Sequence, residues 1–147
     1  MPLTTVLITN ENVDGCVSLY QQVFNCEPWN ESWTNETAGE RLRDLVYTPK
    51  FFGIMFYEGE MLAGFIAGNC KRTYQGLTYY IAECCVNPEI QGKGYGSKML
   101  KFLEKELKGR GVRSIYLLTA TEGLAQTFYE KNGYLVNENR MVMNKSL

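Results

Sequence analysis

The segment Cys84-Cys85-Val86-Asn87-Pro88-Glu89-Ile90-Gln91-Gly92-Lys93-Gly94-Tyr95-Gly96-Ser97 reads as the end of a strand, a break, and a glycine-rich turn entering a helix. Asn87 and Pro88 stop the strand that starts at Tyr79, and an amphipathic helix is predicted from Gly96 to Lys108. The start of a helix carries backbone N–H groups with no intrahelical partner and a partial positive charge, and glycines let an anion come close where a Cβ would clash. The turn is therefore a phosphate cradle in outline. Lys93, Lys98 and Lys101 add positive charge around it.

Spacing separates the phosphate loops that could be built this way. A Walker loop requires Ser or Thr after Gly-Lys, but Lys93 is followed by Gly94. A dinucleotide fingerprint requires a third glycine where Ser97 stands and a repeated parallel βαβ pattern from the start of the domain. Neither matches.

Outward from the turn, the order of elements is mixed. Leu3 to Thr9 is β-branched and predicts a strand; Val13, Val17, Tyr20 and Phe24 recur at helical spacing, and a second helix is predicted from Glu36 to Tyr47. Between these helices Pro28, Trp29, Asn30 and Trp33 predict a loop with aromatic anchors. Phe51–Tyr57 and Met61–Ala67 flank Glu58-Gly59-Glu60 as a hairpin. After the Gly-rich turn and its helix, which Gly109 and Gly111 end, come a strand from Ser114 to Thr119 and a short helix from Leu124 to Asn132 closed by Gly133. Tyr134–Val136 and Arg140–Asn144 complete the pattern as closing strands. Helices interrupting a largely antiparallel sheet make the class α/β, or α+β by strict usage.

A chain of 147 residues, 45% hydrophobic and 21% charged, suits a single domain over residues 1–147. No signal-peptide pattern and no apolar run of about 20 residues is present, so no membrane association and a cytoplasmic location are expected. The five cysteines lack paired spacing, and the adjacent Cys84 and Cys85 point to opposite faces of a strand, so neither a disulfide framework nor a metal site is expected. Histidine is absent, which excludes every Ser-His-Asp or Cys-His arrangement and leaves proton transfer to carboxylates, Tyr, Lys, Cys or water. A net charge of -1 argues against nonspecific nucleic-acid binding. The charge is unevenly spread: residues 1–60 carry three Lys or Arg against nine Asp or Glu, and the rest carries twelve against seven. Such a division suits an anionic donor and a cationic acceptor, and equally an ordinary solvated surface.

Gln91, Gly94 and Gly96 fit the pattern Gln or Arg, two residues, Gly, one residue, Gly or Ala. This resembles the pyrophosphate loop of the GNAT family of N-acetyltransferases. Downstream, Ala125, Phe128, Tyr129, Glu130, Lys131, Asn132, Gly133 and Tyr134 are similar to that family's second signature, in the same order and separated by one helix and one strand. The resemblance covers Tyr79 to Tyr134. It implies a mixed, mostly antiparallel sheet flanked by helices and splayed between its fourth and fifth strands.

It also implies acetyl-CoA as cosubstrate, with Cys84, Cys85 and Val86 offering backbone groups to the pantetheine arm. The segment Gln91, Gly92, Lys93, Gly94, Tyr95, Gly96 and Ser97 would hold the pyrophosphate. A backbone N–H of the fourth strand, that of Val86, would polarise the thioester carbonyl. Tyr129 falls on the family's general acid. Glu83, an ionisable residue within an apolar strand, is the candidate base, or else a structural carboxylate. Cys84 and Cys85 as buried apolar fillers fit better than as acetyl carriers, since no His is present to activate them.

Two positions depart from the family. Glu122 stands where many members have an Asn on the cofactor arm, and Leu117 stands where relatives acetylating ribosomal-protein N-termini have a catalytic Glu. Trp29, Trp33 and Glu31, with Glu36 and Glu40 nearby, mix aromatic faces with carboxylates and suit a small cationic amine. The expected function is transfer of acetyl to such an amine. A protein N-terminal or lysine acetyltransferase and a noncatalytic acetyl-CoA sensor remain the alternatives, and analogy suggests a homodimer through the closing strands.

Overall fold

The computed structural model describes residues 2–147. Five strands form one sheet in the order β1 (Thr4–Leu7), β2 (Phe51–Glu58), β3 (Met61–Thr73), β4 (Gly76–Val86) and β5 (Val112–Leu117). The first four run antiparallel to their neighbours and β4 pairs with β5 in parallel. Helices α1 (Val17–Phe24) and α2 (Asn35–Val46) cover one face; α3 (Tyr95–Gly109) covers the other, and α4 (Leu124–Lys131) follows β5.

Local chemistry sets these limits. The apolar stripe predicted from Val13 begins as a 3-10 turn, Val13–Cys16, before α1 proper. Thr34 and Thr37 exchange side-chain-to-backbone hydrogen bonds at 3.0 Å each, and this reciprocal cap starts α2. The predicted hairpin forms with Glu58 opposite Met61 and Gly59 at φ 60°. Strand β3 runs on to Thr73, well past the predicted Ala67, because Asn69, Lys71 and Arg72 pair with Tyr80, Thr78 and Leu77 although nothing apolar marks them.

Strand alternation gives two cores. Phe52, Ile54, Phe56 and Ile66 pack under Met99, Leu100, Leu103 and Leu107 of α3, while Met55, Phe65 and Ala67 pack under α1 and α2. In β4 the alternation slips once. Ala67 opposes Glu83 and Gly68 opposes Ile81, so Ala82 is an extra residue with no partner, a β-bulge. Before it Tyr79 and Ile81 face α3; after it Glu83 and Cys85 face α1 and α2, with Cys84 and Val86 now on the α3 side. The bulge is what turns Glu83 away from the α3 core.

The closing strands do not form. From Tyr134 to Leu147 no residue enters a ladder, and Leu135, Val136, Met141, Val142 and Met143 are exposed. Their short apolar runs, Tyr134–Val136 and Met141–Met143, suit a strand, but β structure needs a neighbour, and the chain brings none alongside. The expected fold class stands nonetheless: a mixed five-stranded sheet flanked by helices. No helix among the described residues is long and apolar enough to cross a membrane.

β3 approaches β4 closely at the bulge. A Cβ on Gly68 would stand 1.8 Å from the Tyr80 carbonyl oxygen, so the two strands meet only because that position has no side chain. Gly68→Ala is expected to lower stability by more than about 3 kcal/mol, the upper end of overpacking costs, seen as a lower urea midpoint at unchanged slope.

Candidate active site

The site lies where β4 and β5 part. Their pairing ends at Ile81 opposite Leu117, whereas β4 continues to Val86. From Glu83 to Val86 one edge of β4 is therefore bordered by β3 alone. Asn87 fixes which groups face the gap: its N–H donates to the Ala63 carbonyl of β3 at 2.8 Å. By strand alternation the N–H and C=O of Val86 and of Cys84 point to the open side, and those of Cys85 point to β3. The Val86 carbonyl accepts from the Gln91 side chain at 3.0 Å, which draws the glycine turn against the strand end.

That turn then feeds α3. Gly92 and Gly94 have φ of 80° and 85°, and Gly94 caps α3 in the left-handed conformation without a side-chain hydrogen bond. The first intrahelical bond runs from Lys98 N–H to the Gly94 carbonyl, so the amides of Tyr95, Gly96 and Ser97 remain unspent. No heavy atom lies within 4 Å of where a Cβ on Gly92 or Gly94 would stand, leaving open surface over both. Gly96 is different: a Cβ there would meet the Phe128 ring at 2.9 Å, so its lack of a side chain lets α4 sit beside the start of α3. The outer end of Tyr95 is fastened by a hydrogen bond from its hydroxyl to Glu58. Free amides, a helix dipole and open glycines fit a diphosphate.

On the α3 side of β4, the Tyr129 hydroxyl lies against the Cys84 thiol. The Tyr129 ring is braced edge-on by Phe128 at 5.1 Å and Tyr134 at 5.6 Å, and the Tyr134 hydroxyl donates to Glu104 of α3 at 2.8 Å. Burial, with the neighbouring Cys84 in second place, holds the Tyr129 phenol protonated well above the usual tyrosine range. Burial also pushes the Cys84 thiol up to about 11 and Cys85 further, so neither is a ready thiolate.

On the opposite side, Glu83 is 5% exposed and its Oε2 accepts from Arg41 Nε at 2.9 Å and from the Tyr20 hydroxyl at 3.4 Å. Burial raises its pKa and Arg41 opposes that; the net shift is upward. Trp33 lies edge-on to Tyr20 at 5.1 Å, and the Arg41 guanidinium sits 5.8 Å from its ring centre. The Trp33 indole N–H donates to Glu31 at 2.6 Å, and Glu31 is a second carboxylate within electrostatic reach of Glu83. Trp29 is apart from this group, 41% exposed and edge-on to Phe24 at 5.2 Å. Glu36 and Glu40 are exposed on α2.

The structure therefore brings Glu83, Glu31 and Trp33 together on one side of β4, and Tyr129 and the glycine turn to its other side. Sequence reasoning missed Arg41 and placed Tyr20 only in an apolar stripe; nothing local links either to Glu83, 42 and 63 positions away. Tyr80 and Tyr116, whose rings lie 4.9 Å apart with Lys71 Nζ bonded to the Tyr116 hydroxyl at 2.8 Å, extend the Glu83 face and were also missed. No group of three or more His, Cys, Asp or Glu among the described residues is placed to hold a metal ion.

Comparisons with known proteins fit this geometry. A sequence profile of the acetyltransferase (GNAT) family matches residues 13–134. An acetyltransferase of Sodalis glossinidius is 25% identical over 139 residues, covering 94% of this chain and 91% of that protein. Among solved structures, an aminoglycoside acetyltransferase from an uncultured soil metagenomic sample, in complex with sisomicin, superimposes with a TM-score of 0.77 at 16% identity, covering 99% of this chain and 96% of that one. Glucosamine-6-phosphate N-acetyltransferase from Arabidopsis thaliana gives 0.69 at 20% identity, covering 99% of both chains. At these identities the structural likeness is one of fold.

Thiol reactivity checks the packing described. Cys26 is exposed, while Cys16 and Cys85 are buried and Cys70 and Cys84 half-buried. A neutral disulfide reagent at pH 8 is expected to modify Cys26 quickly and Cys84 at least tenfold more slowly, with all five reacting fast in denaturant.

Proposed function

The chain belongs to the acetyltransferase (GNAT) family, and from that premise we propose that it transfers acetyl from acetyl-coenzyme A to the primary amine of a small cationic molecule, with donor and acceptor bound together. The observation that carries this reading is the open edge of β4, which exposes the Val86 N–H between a buried acid and a buried carboxylate. The thioester supplies the activated acyl group. The chain's own residues bind, orient and move protons.

The amides of Tyr95, Gly96 and Ser97 hold the diphosphate, assisted by the backbone of Gln91 to Gly94 and the charge of Lys93. The open groups of Cys84 take the pantetheine arm, with Cys85 supporting the edge from within β3's ladder. The Val86 N–H donates to the carbonyl oxygen as it gains negative charge. The amine nitrogen attacks, the carbon–sulfur bond breaks, and the Tyr129 hydroxyl gives its proton to the departing sulfur. Glu83 accepts the proton that the amine loses. Arg41 opposes the upward push that burial gives the Glu83 pKa and so favours the ionised form that a base requires.

The acceptor approaches from the α1–α2 side, where Trp33 and Glu31 offer an aromatic face and a carboxylate to an ammonium group, with Trp29 farther out. Two neighbours of this fold bear names of small amine-bearing molecules, one an aminoglycoside acetyltransferase and one a glucosamine-6-phosphate N-acetyltransferase.

Calorimetry with acetyl-CoA, followed by a thiol-release assay over a panel of amines, tests the reading; no uptake of the cofactor, or uptake without turnover of any amine, ends it. Tyr129→Phe is expected to lower kcat about 100-fold or more with little change in affinity for acetyl-CoA. Glu83→Gln is expected to abolish the acidic limb of the pH–rate profile. Because Arg41 lowers the Glu83 pKa that burial raises, Arg41→Met is expected to move that limb to higher pH, so that more activity is lost as pH falls through it.

A further inference from the structure

The face of the sheet that carries Glu83 continues past the cover of α1 and α2, and a single cation is seated there. Lys71 shares the phase of Phe65 and Ala67 in β3, while Tyr80 and Tyr116 alternate with Ile81 and Ile115, which pack towards α3. All three side chains therefore stand on the Glu83 side. The two tyrosine rings lie 4.9 Å apart. Lys71 Nζ is 5.6 Å from the centre of the Tyr80 ring and 5.5 Å from that of Tyr116, and it donates to the Tyr116 hydroxyl at 2.8 Å. An exposed lysine ordinarily leaves its ammonium in open water; this one is drawn down onto the sheet.

Its charge is not answered by the protein. Among the described residues the ion pairs are Arg41 with Glu83 and Arg43 with Asp14, and Lys71 enters neither. An ammonium has three N–H donors and Tyr116 takes one. The acceptor face thus has two poles: carboxylates at Glu83 and Glu31, and a cation at Lys71. Tyr80 lies between them, within electrostatic reach of both Glu83 and Lys71. In β3, Lys71 is four residues from Ala67, the partner of Glu83, and its ammonium leans back over Tyr80, the partner of Asn69. At the rise of a strand the poles are roughly 7–13 Å apart.

Aromatic faces commonly recruit a ligand's cation. Here the chain supplies that cation itself, so a second positive charge on a ligand would be repelled at Tyr80 and Tyr116, whereas an anion would meet two unspent charged donors. We infer that Lys71, seated on Tyr80 and Tyr116, binds a carboxylate or phosphate of the acceptor at the end remote from the amine that is acetylated. This rests on the acceptor reading above, which concerns the amine end, and adds the other end. A basic amino acid, cationic overall and carrying one carboxylate, satisfies both poles. A linear diamine satisfies only one.

Steady-state acetylation by the full chain of ω-amino carboxylates and ω-aminoalkyl phosphates, each set against the diamine of the same length, tests the inference. At lengths that span the poles, kcat/KM is expected to favour the anionic member about tenfold or more, with the difference carried by KM. Lys71→Met is expected to erase that preference and Lys71→Arg to retain most of it, a rescue that a merely structural lysine would not show. A parent that favours the diamines overturns the inference, and so does a Lys71→Met variant that keeps the parent's preference or slows both series equally; in each case acetyl transfer itself stands. Turnover of no amine at all removes the acceptor reading and this inference with it.

Discussion

Parallel strands β4 and β5 separate after Ile81 and Leu117, and the rest of the site depends on that separation. Backbone amides inside a sheet are normally consumed by their neighbours. Here β4 outruns its partner by a few residues, and alternate N–H and C=O groups are turned into a gap instead of a ladder. The protein tolerates this because the gap opens at the sheet's end, beside a glycine turn whose amides are also uncommitted. The two sets of uncommitted donors lie at the same end of the sheet, joined by the hydrogen bond from the Gln91 side chain to the Val86 carbonyl. The Gln91 side chain, by occupying the Val86 carbonyl, keeps the turn close enough for this to hold.

Around the gap, charge is controlled by burial on each side of one strand. Tyr129 faces a thiol and two aromatic rings, an environment with nothing to stabilise a phenolate, so its proton stays on until a stronger base than water arrives. Glu83 faces Arg41 and Tyr20, an environment that supports a carboxylate but is dry enough to weaken its acidity. Strand β4 itself insulates the two. A proton donor and a proton acceptor placed in direct contact would neutralise one another; Tyr129 and Glu83, set on opposite faces of β4, do not meet.

Much of this was legible in the sequence because it depends on local rules. Glycines at 92 and 94 are needed where φ is positive, and Asn87-Pro88 ends a strand for reasons confined to those two residues. The pairing of Glu83 with Arg41 was not legible: a buried carboxylate announces that it needs a partner but not which helix will supply it. The extent of β3 was hidden for a different reason, since Asn69, Lys71 and Arg72 are held by ladder bonds that any side chain permits. The residues after Tyr134 show the reverse error. Their short apolar runs have the composition of strands, but composition says nothing about whether a neighbour is present within the same chain.

Ala82 has a side chain of no chemical consequence, yet because it stands outside the ladder the residues on either side of it follow opposite odd-even phases. Upstream and downstream of it β4 is written in two different phases, and the inventories of the two faces are assigned by arithmetic rather than by residue type. Ala67 and Gly68 hold Glu83 and Ile81 as consecutive partners, so a one-codon deletion of Ala82 would close the bulge into a regular ladder with every later side chain still on its own face, losing only the local bend. What the surplus residue alters is the numbering and the shape of the strand, not the inventory of either face.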